Sequence, residues 1–304
     1  MPDFILYHYA MSPFSEKVRA MLGYAGLEWA SVTVPEMPPR PVLEQLTGGY
    51  RKIPVAQIGA DVFCDSRTIA AEIARLAGKP ELVLEDQPEA VQAFVREVDL
   101  EIFLACVIAA SDGRMLKKLI KETSLFHALK FLADRIGMGR KAKVKAVGGK
   151  QAKQRVMNHI ADLEQRLSDD FLFGASPCIA DFSAYHGLWF VCELAGKPWL
   201  RDYPKTREWL NRFQAFGHGH PQPLSAEAAL AQAAAAEPLA ITEPGAHAWL
   251  GQTVSLAPSD YGRDPVTGTL VAASDRRYTL LRESPATGRL HVHFPVDGFS
   301  IRKV

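Results

Sequence analysis

The sequence predicts three units in succession: an α/β domain over residues 1–80, an all-α helical bundle over 86–237 and a small all-β module over 246–304. Three observations carry this. The first eighty residues alternate short apolar runs with helical ones. From Pro88 to Phe216 apolar residues recur at i, i+3, i+4. Beyond Ala248 the apolar period becomes two, with Gly and Pro turns between the runs. At 304 residues the chain is long enough for two cores and a small third.

Within the first unit, Phe4 to His8 reads as a strand, Pro13 to Tyr24 as a helix ending at Gly26, and Glu28 to Val34 as a second strand. After Pro38-Pro39-Arg40-Pro41 a short helix, Val42 to Leu46, leads through Gly48-Gly49 to Ile53-Pro54. Val55 to Ile58 and Val62 to Cys64 flank Gly59-Ala60-Asp61 as a hairpin, and Ser66 opens a helix that Gly78 closes. The order is βαβαββα. Ligands of such a sheet bind at the carboxyl ends of strands or at helix N-termini.

Pro80 to Pro88 reads as a linker. Val91, Phe94, Val95, Val98, Ile102, Phe103 and Cys106 form the buried stripe of one long helix. Leu116 to Ile136, Lys153 to Leu167, Ile179 to Leu194 and Pro204 to Phe216 continue the bundle. The Lys/Arg run from Arg140 to Arg155 contains no acid and reads as a solvated helix end or loop. Gly217 to Pro223 reads as a loop, and Ser225 to Ala236 as one more helix. Leu290, Val292 and Phe294 alternate with His291 and His293, which are expected to face solvent. The turns Pro265–Gly268 and Pro285–Gly288 share a pattern, and the region suggests a small barrel of the Src-homology type.

Hydrophobic residues make up 48%, charged residues 23%, and the formal net charge is +1. That balance points to neither nucleic acid nor a membrane as partner. There is no basic segment followed by an apolar core at the N-terminus, and a cytoplasmic location is expected. Cys64, Cys106, Cys178 and Cys192 are scattered among apolar neighbours, as reduced core thiols are. His218-Gly-His220 has no nearby acid or Cys and is read as incidental; no metal or other cofactor is expected.

Chemistry concentrates at three places. Pro13 suits the first helical position, which makes Ser12 the N-cap and gives its hydroxyl a structural task of about 1 kcal/mol. The same geometry serves an anion, because the hydroxyl and the helix N-terminus both favour a thiolate there. A charge-assisted hydrogen bond of about 1.5–3 kcal/mol would lower a thiol's pKa by roughly one to two units. Ile53-Pro54 follows a Gly-rich loop; the statistics of X-Pro bonds favour an ordinary trans proline starting an edge strand, whereas a cis bond there would turn the Ile53 backbone toward a ligand. Asp65-Ser66 joins a strand to a helix. Ser66 reads as the N-cap of that helix; alternatively its hydroxyl and the first helical N–H groups hold the carboxylate of an amino-acid end group, with Asp65 accepting from the ammonium. Tyr7 and Tyr9 share one strand face, and Ser15 is expected on the surface of the first helical turn.

In this order the residues resemble the cytosolic glutathione transferase family over about residues 4–216. The resemblance rests on Ser12 in "MSPFSEKVRAML", Pro54 in "RKIPVAQIGADVFCDSRTIAAEIA", and Asp65-Ser66. The Ser-Pro-Phe element is most similar to the tau class, and to the omega-type Cys-Pro-Phe site with serine in place of cysteine. The resemblance implies a thioredoxin-like first domain and a homodimer. It implies Ser12 as the catalytic hydroxyl, with glutathione held by Phe14, Arg40, Lys52, Ile53, Pro54, Asp65 and Ser66. Ile53 would take the cysteinyl backbone, Asp65 and Ser66 the γ-glutamyl end, and Arg40 or Lys52 the glycyl carboxylate. A small hydrophobic electrophile would lie near Tyr9, Phe103 and Val107.

Three features depart from the family pattern. Asp65 stands where Glu or Gln is usual, Cys178 replaces the helix-capping Ser/Thr of the Asp181 box, and the β module is an addition. That module motivates an alternative reading, a non-catalytic protein of this fold that uses its barrel to engage a protein partner.

Overall fold

The computed structural model describes residues 3–141 and 147–304. Strand β1 (Phe4–His8) is an unbroken apolar run to its last residue and is buried on both faces. Helix α1 (Pro13–Ala25) follows, opened by Pro13 and closed by Gly26 at φ 63°. Strand β2 (Glu28–Thr33) runs parallel to β1, and α2 (Pro41–Thr47) leads to β3 (Val55–Ile58), antiparallel to β1. Strand β4 (Asp61–Cys64) completes a hairpin with β3, and α3 (Ser66–Ala77) ends at Gly78. The order is the thioredoxin-like βαβαββα read from the sequence.

In the bundle, α4 (Glu89–Glu97) and α5 (Phe103–Ala110) are joined by a π-helical segment, Val98–Ile102. The helix expected over 116–136 is two, α6 (Gly113–Glu122) and α7 (Leu125–Lys141). Ser124 ends the continuity: its Oγ accepts from the His127 N–H at 3.1 Å and starts a new helix. Then come α8 (Gly149–Arg166), α9 (Ile179–Leu188) with a π-helical continuation Trp189–Leu194, and α10 (Pro204–Phe216). Of the Arg140–Arg155 run, positions 142–146 lie outside the described residues.

His220–Pro223, expected as loop, is strand β5, paired parallel with β2. After α11 (Ala226–Ala234) come β6 (Thr253–Pro258), β7 (Val266–Ala273), β8 (Arg277–Ser284), β9 (Gly288–Pro295) and β10 (Phe299–Lys303). The last strand of this all-β region returns beside its first, in the order β10-β6-β7-β8-β9. The region does not stand apart from the first domain. Strand β9 pairs parallel with β4 (Val62↔Val292), so one ten-stranded sheet runs from β10 to β5.

Two cores follow from this layering. One lies between α1, α3 and the bundle and includes Phe182, Trp209 and Phe213. The other lies on the opposite sheet face, where Leu43, Leu46, Ala229 and Ala233 meet Ile5, Tyr7, Val32 and Val55. It continues into the C-terminal strands through Val254, Leu280, Val292 and Phe294. The alanines of α11 let that helix lie close to the sheet.

His291 and His293 are corrected by this arrangement: both are buried, because their strand face meets the first domain. His293 Nε2 lies 2.8 Å from Asp61 Oδ1, its Nδ1 3.1 Å from Thr279 Oγ1, and its ring stacks on Phe63. Ser15 is likewise buried rather than on the surface, since α1 is covered by the bundle as well as by the sheet.

Candidate functional site

Strand register decides which loops meet. Tyr7 is opposite Val55, and Val55 is opposite Cys64. The exit of β1, the entry of β3 and the exit of β4 therefore open at one end of the sheet. That end carries Ser12, Ile53-Pro54 and Asp65-Ser66.

Ser12 is buried at the start of α1, and its Oγ accepts from the Ser15 N–H at 3.2 Å. The cap is made on the oxygen's acceptor side, and among the described residues the hydroxyl proton has no acceptor, so it remains available to donate. The Ile53–Pro54 peptide is cis. Asp65, not Ser66, caps α3: it accepts from the Arg67 N–H at 3.1 Å while Ser66 is the first helical residue, and the Asp65 φ of 83° is unusual for a residue with a Cβ. Such backbone persists where the surroundings enforce it, often at binding sites.

Other expected positions are differently employed. Arg40 is buried, and its guanidinium donates to the carbonyls of Pro35 and Arg51 at 2.8 and 2.7 Å. Lys52 pairs with Asp260, a residue of the C-terminal region, at 2.7 Å. Tyr7 is a core residue whose hydroxyl donates to Gln57, whereas Tyr9 is half-buried. Phe14 packs on Phe103 and His186 with ring centroids 4.7 and 4.6 Å apart, so the two domains meet through these rings. Val107 is half-buried one turn beyond Phe103.

Sequence reasoning did not single out the charged groups beneath this contact. Lys17, on the fifth residue of α1, is 1% exposed; its Nζ donates to Asp99 Oδ2 at 2.7 Å and to Ser183 Oγ at 2.8 Å. Burial pushes the Asp99 carboxyl up, but the cationic surroundings, Lys17 foremost, together outweigh it and leave the group below the usual carboxylate range. Asp99 Oδ1 and both ring nitrogens of His186 are buried without a hydrogen-bond partner among the described residues. Burial lowers the His186 pKa to about 4, so the ring is neutral. The one available signal was an acid, Asp99, inside an otherwise apolar helical stripe.

A second buried network supports the Ser12 loop from behind. Glu16 accepts from Arg19 Nε and Nη2 at 3.0 and 2.7 Å and from the Tyr185 hydroxyl at 2.9 Å, and lies 3.0 Å from His218 Nε2. Arg19 also donates to the carbonyls of Tyr9 and Ala10. His218 is thus tied to α1, and no group of three or more metal-ligating side chains occurs among the described residues.

Asp181 holds the bundle side of the site in place. It accepts from the N–H groups of Leu172 and Cys178 and from Trp209 Nε1, and the capping box closes with the Cys178 thiol as the cap.

A thioredoxin-like sheet with a cis proline and a helix-capping Asp-Ser pair, set against a helical bundle through α1, defines the two-domain transferase architecture. The chain belongs to the glutathione S-transferase family. The family's N-terminal domain model matches residues 6–81 and its C-terminal domain model residues 124–212. A GST-like protein from Pseudomonas syringae is 33% identical, with all of both chains covered and a TM-score of 0.80. A glutathione S-transferase from Rhodospirillum rubrum F11 is 18% identical over 70% of this chain and 88% of its own, with a TM-score of 0.48. No curated protein matches the chain significantly. Among the described residues, no helix is long and apolar enough to cross a membrane.

Proposed function

We propose that the protein conjugates the thiolate of glutathione to a small hydrophobic electrophile, with Ser12 stabilising the thiolate. The observation that carries this reading is the convergence of three groups at one sheet end: the Ser12 hydroxyl, the cis Ile53–Pro54 peptide and Asp65-Ser66 at the start of α3. Ile53 would pair with the cysteinyl backbone. Ser66 and the first N–H groups of α3 would take the γ-glutamyl carboxylate, with Asp65 accepting from its ammonium.

The Ser12 proton is free to donate to sulfur while its oxygen serves the helix. A hydrogen bond to the charged form favours that form, so the bound thiol ionises nearer neutral pH. The thiolate then attacks the electrophilic carbon; a C–S bond forms and the leaving group departs with its electron pair. The rings of Phe14 and Phe103, with Tyr9 and Val107, would hold the electrophile. No step requires a redox or metal centre. The exposed apolar residues Leu125, Leu129, Leu132 and Ile136 on α7 supply a face suited to a second copy of the chain, and cytoplasmic residence agrees with free thiols at Cys64, Cys106, Cys178 and Cys192.

The test is Ser12→Ala, assayed for glutathione binding, for conjugation of a chloronitroaromatic substrate and for thiolate absorbance of the bound ligand. The expected result is retained binding, a rise in the bound thiol's pKa and a loss of about 10- to 100-fold in rate, the scale of one charge-assisted hydrogen bond. Full activity in the variant would remove Ser12 from the reaction.

A further inference from the structure

The segment 259–265 between β6 and β7 lies across Arg51 and Lys52. Both Asp260 carboxylate oxygens accept from Lys52 Nζ, at 2.7 and 3.0 Å. The same ammonium stands 4.2 Å from the centroid of the Tyr261 ring. At Gly262 the backbone comes so near that a Cβ would sit 3.4 Å from Arg51 Cγ and 3.5 Å from Lys52 Cγ. Asp264 accepts from Arg51 Nη1 at 3.4 Å, and Arg51 Nη2 donates to Asp134 of α7 at 2.5 Å.

Among the described residues, the cations grouped around Lys52 each face an acid or a carbonyl. Lys52 faces Asp260, Arg51 faces Asp134 and Asp264, Arg135 lies 4.0 Å from Asp134, and Arg40 serves the carbonyls of Pro35 and Arg51. The Lys52 ammonium, with a carboxylate on two of its directions and an aromatic face beside it, has little left to offer a second anion. A further carboxylate placed there would also meet the like charge of Asp260.

Lys52, which the segment covers, immediately precedes Ile53 of the thiol site. Burial chiefly, with the carboxylates of Asp260, Asp65 and Asp99 adding to it, raises the ionisation of the Tyr261 phenol. Both family-matched stretches, 6–81 and 124–212, leave this segment out.

Resting on the glutathione-site reading above, we propose that Asp260 and Tyr261 determine which thiol the site accepts. Asp260 occupies on Lys52 the place of the thiol peptide's terminal carboxylate. The preferred co-substrate is then a γ-glutamyl-cysteinyl thiol whose far end is uncharged, as an ester or amide. Free glutathione binds only by displacing Asp260.

The experiment is calorimetric titration of wild type, Asp260→Asn and Asp260→Ala with two probes, glutathione and its glycyl monoethyl ester. The expected result is that wild type binds the ester at least as tightly as the free acid. Both variants should gain about tenfold or more for glutathione, the scale of one charge-assisted hydrogen bond, while the ester changes little. Binding of glutathione by a variant alone would support the proposal equally. A free-acid-to-ester ratio unchanged between wild type and the near-isosteric Asp260→Asn would overturn it while leaving the glutathione site standing. Binding of neither glutathione nor the ester to any of the three proteins would remove both readings together.

Discussion

Replacing Glu16 by glutamine tests how the Ser12 loop is held. Glu16 is 3% exposed and accepts from Arg19, itself 5% exposed, through two nitrogens. Burial pushes its carboxyl up, but the His218 hydrogen bond and the Arg19 charge outweigh that and bring it from 4.5 down to about 2. At 1.36 kcal/mol per pH unit, that displacement corresponds to about 3 kcal/mol of stability at neutral pH. The figure agrees with the roughly 3–5 kcal/mol lost when one partner of a buried ion pair is removed. The folded carboxyl ionises below the unfolded one, so its contribution is complete above about pH 4.5 and is lost as pH falls toward 2. Urea unfolding of wild type and E16Q should therefore differ by about 3 kcal/mol at pH 7, and the gap should close over that acidic window. Because Arg19 also holds the Tyr9 and Ala10 carbonyls, hydrogen exchange around Ser12 should rise in the variant. A difference under about 1 kcal/mol at pH 7, or one that persists unchanged near pH 2, would refute the reasoning.

Two further outcomes are expected from the same bookkeeping. His8, His159 and His186 are each lowered to about 4, in every case chiefly by burial, so they are neutral when folded and take up protons when unfolded. Stability should be complete above about pH 6.5 and fall by up to about 4 kcal/mol per unit as pH drops toward 4, which urea midpoints between about pH 7.5 and 5.5 would show; a flat profile there would contradict it. Cys178→Ser replaces a weak thiol cap by a hydroxyl already positioned over α9, and should raise stability by about 0.5–1 kcal/mol in thermal unfolding, whereas a loss would mean that the cap is not limiting.

The first domain was readable because its punctuation is local. Phe4–His8 is a bare apolar run, and Pro13, Gly26 and Gly78 stand at the helix boundaries they favour. Pro204–Phe216 is bounded in the same way. That Ser12, Ile53-Pro54 and Asp65-Ser66 stand at junctions between elements was readable for the same reason. What escaped has its cause elsewhere in the chain. Strand β5 is exposed and carries two prolines, so only the waiting edge of β2 makes it a strand. The π-helical turn at Val98–Ile102 preserves the apolar stripe while bringing Asp99 to Lys17. His291 and His293 alternate as solvent-facing residues do, and Asp61 with the bulk of the first domain is what buries them. Asp260 and Tyr261 sit in a Gly/Pro turn with no signal of their own, because their partner is Lys52.

The pairing of β4 with β9 bears on how the chain is made. Asp61 and the His293 that binds it are 232 residues apart, and the opposite edge, β2, waits for residues 220–223. During synthesis the first domain can leave the ribosome with its strands arranged but with both sheet edges open, each a template for any passing strand. Closing those edges by such distant segments makes folding slow relative to a bundle of local contacts. The protein's hazard thus lies in the interval between the first and last strand, when a chaperone that shields β2 and β4 would matter more to yield than any contact within the finished site.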